Sequence, residues 1–182
     1  MSIASETILR SVTAQARIAS PLGTMLLARS ERGLAGAWFE RQKHHPPEID
    51  APERADDPLL AETARQLREY FAGASAEFDV PLDLQGSDFQ RAVWRALLRI
   101  APGSTCSYGD IARGLGVPSA SRAVGAAVGR NPVSIIVPCH RVVGSSGALT
   151  GYAGGLDRKA SLLRIEAERV ARERGAPQLE VH

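Results

Sequence analysis

Apolar and polar residues alternate in short runs along the first part of the chain. Val12, Ala14, Ala16 and Ile18 recur at every second position, the period of a half-buried strand. Pro21-Leu22-Gly23 reads as a turn, Thr24 to Ala28 as a second strand, Glu31-Arg32-Gly33 as another turn and Leu34 to Phe39 as a third strand. The expectation is an antiparallel meander. Residues 1–11 read as a loose leader and residues 40–56, polar and proline-rich, as a loop. From Asp57 the period becomes helical. Asp57 is the N-cap, Pro58 the first helical residue, and Leu60, Ala64, Leu67 and Phe71 follow before Gly73 ends the run. Residues 74–86 hold an extended piece, Phe78 to Leu82, and read as a linker. They divide an N-terminal α/β unit, residues 1–86, from a mainly helical one, residues 87–182.

The second unit opens on Ser87 with Gln90 three residues on, a capping box, and Phe89, Val93, Trp94, Leu97 and Leu98 give the apolar side of that helix. Ser107 and Asp110 repeat the signal for a short helix with Ile111 and Leu115 inward, closed by Gly116 and Pro118. Ser119 reads as the cap of a further helix with an apolar stripe of Ala120, Ala123, Val124, Ala127 and Val128. Two short helices about a Gly-Val-Pro turn make a helix-turn-helix candidate. The run Ile135 to Val143 is apolar and β-branched, and predicts a buried strand interrupted at Pro138. Glycine-rich loops follow at 144–147 and 151–155. A last helix runs from about Leu156 to Arg174, its inward stripe read as Leu156, Ala160, Leu163, Ala167 and Val170.

The chain of 182 residues is long enough for a substantial core, and 44% hydrophobic with 23% charged residues describes an ordinary soluble protein. Two cysteines exclude a disulfide framework and a cysteine-rich zinc site, and fit a reducing compartment. No N-terminal leader pattern and no membrane-spanning run is read, so the expectation is a cytoplasmic protein. The net charge of +2 conceals an asymmetry: residues 1–86 carry 9 Lys/Arg against 13 Asp/Glu, residues 87–166 carry 10 against 4. That basic excess is either a solvated face or the footprint of a polyanion partner.

The chemistry gathers in the same basic segment. Cys139, followed at once by His140, ends the buried run, and reads either as a small buried hydrophobe or as a nucleophile beside its base. The outer face of the third short helix, Arg122, Gly125, Ala126 and Gly129, offers one long polar side chain on a smooth surface. Sequence readout in the major groove needs more polar reach than that. Such a face suits close packing against another helix, or the degenerate readout of a minor groove. Glu166 falls on the inward side of the last helix, where a carboxylate needs a partner such as His140, unless it bends out to solvent.

Taken together these segments closely resemble the O6-alkylguanine-DNA alkyltransferases, the methylated-DNA–protein-cysteine methyltransferases. The likeness covers roughly residues 86–167 and, more loosely, the strands from Ile18. It is carried by Asn131-Pro132-Val133, Pro138-Cys139-His140-Arg141-Val142, Gly151-Tyr152-Ala153-Gly154-Gly155 and Leu162-Leu163-Arg164-Ile165-Glu166. The resemblance implies a ribonuclease-H-like N-terminal domain, with an antiparallel sheet plus helix, and a mainly α C-terminal domain with a helix-turn-helix. It implies a monomer that binds double-stranded DNA through the minor groove and flips out O6-alkylguanine, leaving O4-alkylthymine open as a second substrate. Cys139 would take the alkyl group once, with His140 deprotonating it through a water, Glu166 orienting His140, Tyr108 contacting the flipped base and the phosphate, and Asn131 bracing the turn. The implied DNA-contacting set is Arg122, which enters the duplex, with Tyr108, Ser119, Ala123, Gly125, Ala126 and Gly129. The implied base pocket is Val128, Val142, Tyr152 and Ala153. Some relatives carry serine at the Ala153 position, so the contact expected there is the backbone N–H with O6. No cofactor and no metal is implied, since members with an N-terminal zinc site use cysteines this chain lacks.

Three other readings compete. A cysteine hydrolase would need an oxyanion hole, and its Cys and His are separated in papain-like sequences. A DNA-binding regulator would need a stronger readout face. The binding-only alkyltransferase-like proteins carry tryptophan at the cysteine position, where this chain has Cys139.

Overall fold

In the computed structural model, which describes residues 8–175, the meander forms as β1 (Ala14–Ile18), β2 (Met25–Arg29) and β3 (Leu34–Phe39), antiparallel and in that order. The sheet is covered on both faces. Met25, Leu27, Leu34, Ala37 and Phe39 share a core with Leu60, Leu67 and Tyr70 of α1 (Pro58–Phe71), while Leu26, Ala28, Ala35 and Trp38 pack with Ile8, Val12 and Ile49. Residues 8–11 are therefore not loose leader but helical, with Ile8 buried; residues 1–7 lie outside the described part. Strand β1 also departs from simple alternation. Gln15 is buried because the loop after β3 folds over it, and its Nε2 donates to the carbonyls of Ile49 and Ala51 at 3.0 and 2.8 Å. Helix α1 starts where its cap predicts, with Asp57 Oδ1 accepting from the N–H groups of Leu59 and Leu60.

The outer edge of β3 joins the two halves of the chain. Leu34 N–H donates to Pro81 O and Leu34 O accepts from Asp83 N–H, both at 2.8 Å, so the extended piece of the linker lies along the sheet. Farther on, Ala37 N–H donates to Pro132 O and Ser134 N–H donates to Ala37 O, both at 2.9 Å. This second pairing anchors the segment that leads to Cys139. One buried cluster then continues from the sheet through α2 (Asp88–Leu97), α3 (Tyr108–Gly114) and α4 (Ser121–Gly129). Trp94 Nε1 ties α2 to the carbonyl of Ala127 at 2.8 Å.

The capping boxes at Ser87 and Ser107 are both formed. Phe89 and Leu98, expected inward, are 36% and 44% exposed, because the first turn and the C-cap of α2 reach past the core. Helix α4 starts later than read: Ala120 is at the cap without a side-chain bond, and both Ser119 and Ala123 are exposed. The run Ile135 to Val143 is buried but is not a strand until its last two residues. Asn131 takes the backbone bonds a ladder would have taken, its Nδ2 donating to Val137 O at 2.7 Å and its Oδ1 accepting from Val133 N–H at 3.0 Å. The chain turns there with Ile135 at φ +72°, a costly conformation for a β-branched residue and a sign that the surroundings impose it. A single 3-10 turn, Cys139–Arg141, leads into β5 (Val142–Val143), which pairs parallel with β4 (Cys106–Ser107). Helix α5 (Leu156–Gly175) buries Lys159, Leu162 and Glu166, while Leu156, Ala160 and Ala167 of the expected stripe face solvent. Among the described residues no helix is long and apolar enough to cross a membrane.

Candidate active site

Cys139 opens the 3-10 turn and is 5% exposed. Asn131 Nδ2 lies 3.1 Å from its sulfur, so the amide that shapes the turn also holds the thiol. Burial pushes the Cys139 thiol up, and the Asn131 bond and the charge of Lys159 offset only part of that. The resting group is a protonated thiol.

His140 and Glu166 are wholly buried, with His140 Nε2 and Glu166 Oε1 2.7 Å apart. The inward glutamate and the histidine next to Cys139 thus form one pair, linking the 3-10 turn to α5. Burial lowers the pKa of His140; Glu166 raises it, and Arg141 and Lys159 lower it again. Nδ1 of His140 is buried with no hydrogen-bond partner among the described residues. Nε2 therefore serves the carboxylate and Nδ1 remains as the basic nitrogen.

Glu166 has more partners than sequence suggested. Arg141 Nε donates to Oε2 and Nη2 to Oε1, each at 2.9 Å, a forked pair with both side chains buried. Arg141 Nη1 donates to Ile100 O at 2.6 Å. Gly103 N–H reaches Oε2 at 3.1 Å, and the residue is at φ +78° with a Cβ position only 2.8 Å from Val170 Cγ2. Glycine is what lets this loop close over the carboxylate. Burial alone would raise the Glu166 pKa; the bonds from His140 and Arg141 outweigh it and hold the group well below the ordinary carboxylate range.

The other side of the thiol is a loop. Buried Lys159 donates to Val142 O and, at 2.8 Å, to Thr150 O, fixing that loop to the segment after Cys139. Tyr108 OH points to the same loop, 3.2 Å from Thr150 O and 3.3 Å from Gly151 O. The Tyr152 ring lies over Gly154, its hydroxyl buried without a partner among the described residues. Ala153 O accepts from Lys43 N–H at 2.8 Å. Arg158 donates to Gly154 O and Leu22 O at 3.1 and 2.9 Å and covers the Phe39 ring at 4.6 Å. The N-terminal unit therefore holds this loop from behind. Val128 and Val142 are buried in the common core beneath it. On α4, Arg122, Ala123 and Ala126 are exposed and Gly125 and Gly129 half-buried, with Tyr108 under Gly125.

Sequence reasoning missed Arg141, Gly103, Lys159 and Tyr70, whose hydroxyl donates to Glu166 Oε1 at 2.9 Å. Only Arg141 carried any signal, as a member of the Pro138–Val142 motif. Among the described residues no group of three or more His, Cys, Asp or Glu side chains could hold a metal ion.

A thiol beside an imidazole that can take its proton belongs to a cysteine-dependent transferase or hydrolase, and likeness to known proteins decides between them. Residues 15–84 match the family model described as 6-O-methylguanine DNA methyltransferase, ribonuclease-like domain, and residues 88–168 match the one described as its DNA binding domain. The methylated-DNA–protein-cysteine methyltransferase of Mycolicibacterium paratuberculosis is 50% identical over 147 residues, 81% of this chain and 88% of that protein. That of Methanosarcina acetivorans is 49% identical over 149 residues, 81% and 94% of the two chains. Among solved structures, Mycobacterium tuberculosis O6-methylguanine methyltransferase superposes with a TM-score of 0.79 at 46% identity, covering 92% of this chain and 96% of that one. Mycobacterium tuberculosis OGT in complex with DNA gives 0.75 at 47%, covering 86% and 94%. The chain belongs to the 6-O-methylguanine DNA methyltransferase family, whose work is DNA repair by alkyl transfer to a protein cysteine.

Proposed function

We propose that Cys139 is the acceptor cysteine, alkylated once by O6-alkylguanine flipped out of double-stranded DNA. The observation that carries this reading is the buried thiol next to a His140–Glu166 pair in which His140 Nδ1 has no partner among the described residues. The thiol proton passes through a water to that nitrogen. The thiolate electron pair forms the S–C bond to the alkyl carbon while the C–O6 bond breaks. The electrons of that bond stay on guanine, which takes up a proton, and Tyr108 is the hydroxyl we assign to that end once it gives up its loop carbonyls. Glu166 stabilises the imidazolium. The product is a thioether that no group in the site displaces, so the protein is consumed.

DNA is the partner, and α3 and α4 act as the helix-turn-helix, with the smooth face of α4 in the minor groove. The exposure of Ser119, Arg122, Ala123 and Ala126 beside half-buried Gly125 and Gly129 supports close approach to a backbone, as does the basic excess of this half. Extruding a base costs a few kcal/mol, and Arg122 filling the gap offsets part of it. Tyr152 and the Ala153 backbone line the base pocket above Val128 and Val142. The N-terminal unit takes the ribonuclease-H-like role of a support, and the protein works as a cytoplasmic monomer. A hydrolase is disfavoured because the Cys139 N–H, the donor an oxyanion would use, is already bonded to Val137 O at 2.8 Å.

Mass spectrometry after mixing with O6-methylguanine duplex tests this. Each molecule should gain one methyl group on the peptide containing Cys139, in proportion to protein added. Repeated turnover by a fixed amount of protein, or methyl on Cys106, would overturn it.

A further inference from the structure

Tyr70 belongs to α1, in the half of the chain that carries neither the thiol nor the DNA-facing helices. It is 1% exposed, and its ring packs edge-on against Phe71 and against His140, with centroids 5.6 and 6.4 Å away. A phenylalanine would fill that space. The hydroxyl adds something specific, since among the described residues it reaches two atoms: Glu166 Oε1 at 2.9 Å and His140 Nε2 at 3.4 Å. Its single hydrogen goes to the carboxylate, so it turns an oxygen lone pair toward Nε2. Glu166 Oε1 presents a second one. An imidazole nitrogen facing two lone pairs has to carry the hydrogen, which leaves Nδ1 as the base.

We propose that Tyr70 is a positioning residue for alkyl transfer, holding Glu166 against His140 and fixing the Nε2–H tautomer, so that the N-terminal unit sets the reactivity of Cys139. The proposal rests on the Cys139–His140–Glu166 relay of the preceding section. Helix α1 suits the task because its start is fixed by Asp57 and Pro58 and its inner face by Leu60 and Leu67 in the common core. Burial and the neighbouring Glu166 charge drive the Tyr70 hydroxyl far above the ordinary phenol range, so it remains a donor at every working pH. The ionisable groups around it are Glu166 on α5, His140 and Arg141 on the 3-10 turn, and Tyr152 on the loop, with Lys159 farther along α5.

The test compares wild type, Tyr70→Phe and Glu166→Gln in single-turnover transfer from O6-methylguanine, free and in duplex DNA, across pH, with nitrogen-15 spectra of the histidine rings. Tyr70→Phe should slow transfer from both substrates by about tenfold to a hundredfold, the usual cost of loosening an outer partner of a reacting group. Its pH profile should move to higher pH, because Glu166 without that donor makes His140 more basic, and the Nδ1–H tautomer should grow. A slower variant with an unmoved profile and an unchanged tautomer would make Tyr70 a mere filler and overturn the proposal. So would wild-type transfer by Tyr70→Phe while Glu166→Gln is slow. Wild-type transfer by Glu166→Gln would instead remove the relay itself. If Tyr70→Phe fails to fold, 3,5-difluorotyrosine at position 70 keeps the shape and strengthens the donor. The profile should then move to lower pH, and an unmoved one overturns the proposal.

Discussion

Replacing Arg141 by methionine removes the guanidinium paired with Glu166 while keeping much of the buried volume. The two side chains are 6% and 0% exposed, and the pair is forked, with both bonds at 2.9 Å. Deleting one partner of such a pair leaves a buried charge uncompensated, a loss of about 3–5 kcal/mol. Three donors stay on the carboxylate: Tyr70 OH, Gly103 N–H and His140 Nε2. Hydrogen bonds to a charged group are worth roughly 1.5–3 kcal/mol each, so the group does not go unsolvated and the loss should fall at the lower end, near 3 kcal/mol. Against a typical total of about 5–15 kcal/mol, Arg141→Met should still fold at 25 °C.

The same change moves a proton equilibrium. Burial is the main reason His140 resists protonation, but Arg141 adds to it. Without Arg141 the imidazolium becomes the nearest cation for Glu166, so the pKa of His140 should rise. Urea unfolding followed through the buried Trp94 measures the first effect, with the m-value expected to match wild type. Ring nitrogen shifts of His140 against pH measure the second. A loss below about 1 kcal/mol, the usual worth of an exposed ion pair, together with an unshifted His140 titration, would mean that Arg141 is not the counter-ion of Glu166.

Two further outcomes follow from the same geometry. Arg122→Ala should slow repair of duplex far more than transfer from free O6-methylguanine, with binding weakly sequence-dependent and strongly salt-dependent; equal losses on both substrates would assign Arg122 to folding or chemistry instead. Stability should decline in two steps on acidification: His140, whose folded pKa is lowered, binds a proton more readily once unfolded, so stability falls as pH drops below about 6.5, and Glu166, likewise lowered, adds a second loss below about 4.3. Thermal melts across pH measure both steps, and the lower one should shrink in Glu166→Gln.

Features settled within four residues were legible in the sequence. The caps at Asp57, Ser87 and Ser107 each pair a side chain with backbone two or three positions on, and all three form. The meander was legible for a similar reason, since its turns join consecutive strands. Helix α5 was misread because its buried face includes Lys159 and Glu166, while apolar Leu156, Ala160 and Ala167 face water. Hydrophobic period therefore points partly to the wrong stripe, and Glu166 falls inward by its spacing, three after Leu163 and four before Val170, both half-buried. The segment before Cys139 was misread because β-branched composition reports burial as readily as extension, and the Asn131 amide took the ladder's hydrogen bonds. Tyr70 and Gly103 meet Glu166 across 96 and 63 residues, and neither has a local signature. Such contacts come from the packing of α1 and of the loop after α2, which no short window of sequence contains.

The charge balance of the site also fits a protein that can react only once. A thiolate kept ready in the resting state would be spent on any electrophile that reached it. Here burial keeps Cys139 protonated, and burial together with Arg141 and Lys159 keeps His140 neutral. The same residues nevertheless make the ion pair accessible: Glu166 is ionised and touching His140, and Asn131 and Lys159 both favour the thiolate. Arg141 thus has two opposed effects, fixing the carboxylate that will stabilise an imidazolium while its own charge delays that imidazolium. On the proposed relay, the proton leaves Cys139 when an alkyl carbon stands ready to accept the sulfur electrons, since a new S–C bond removes the buried negative charge that burial otherwise penalises. Restraint in the resting state and speed on the substrate then have one source, a buried site whose charges balance only along the path to the thioether.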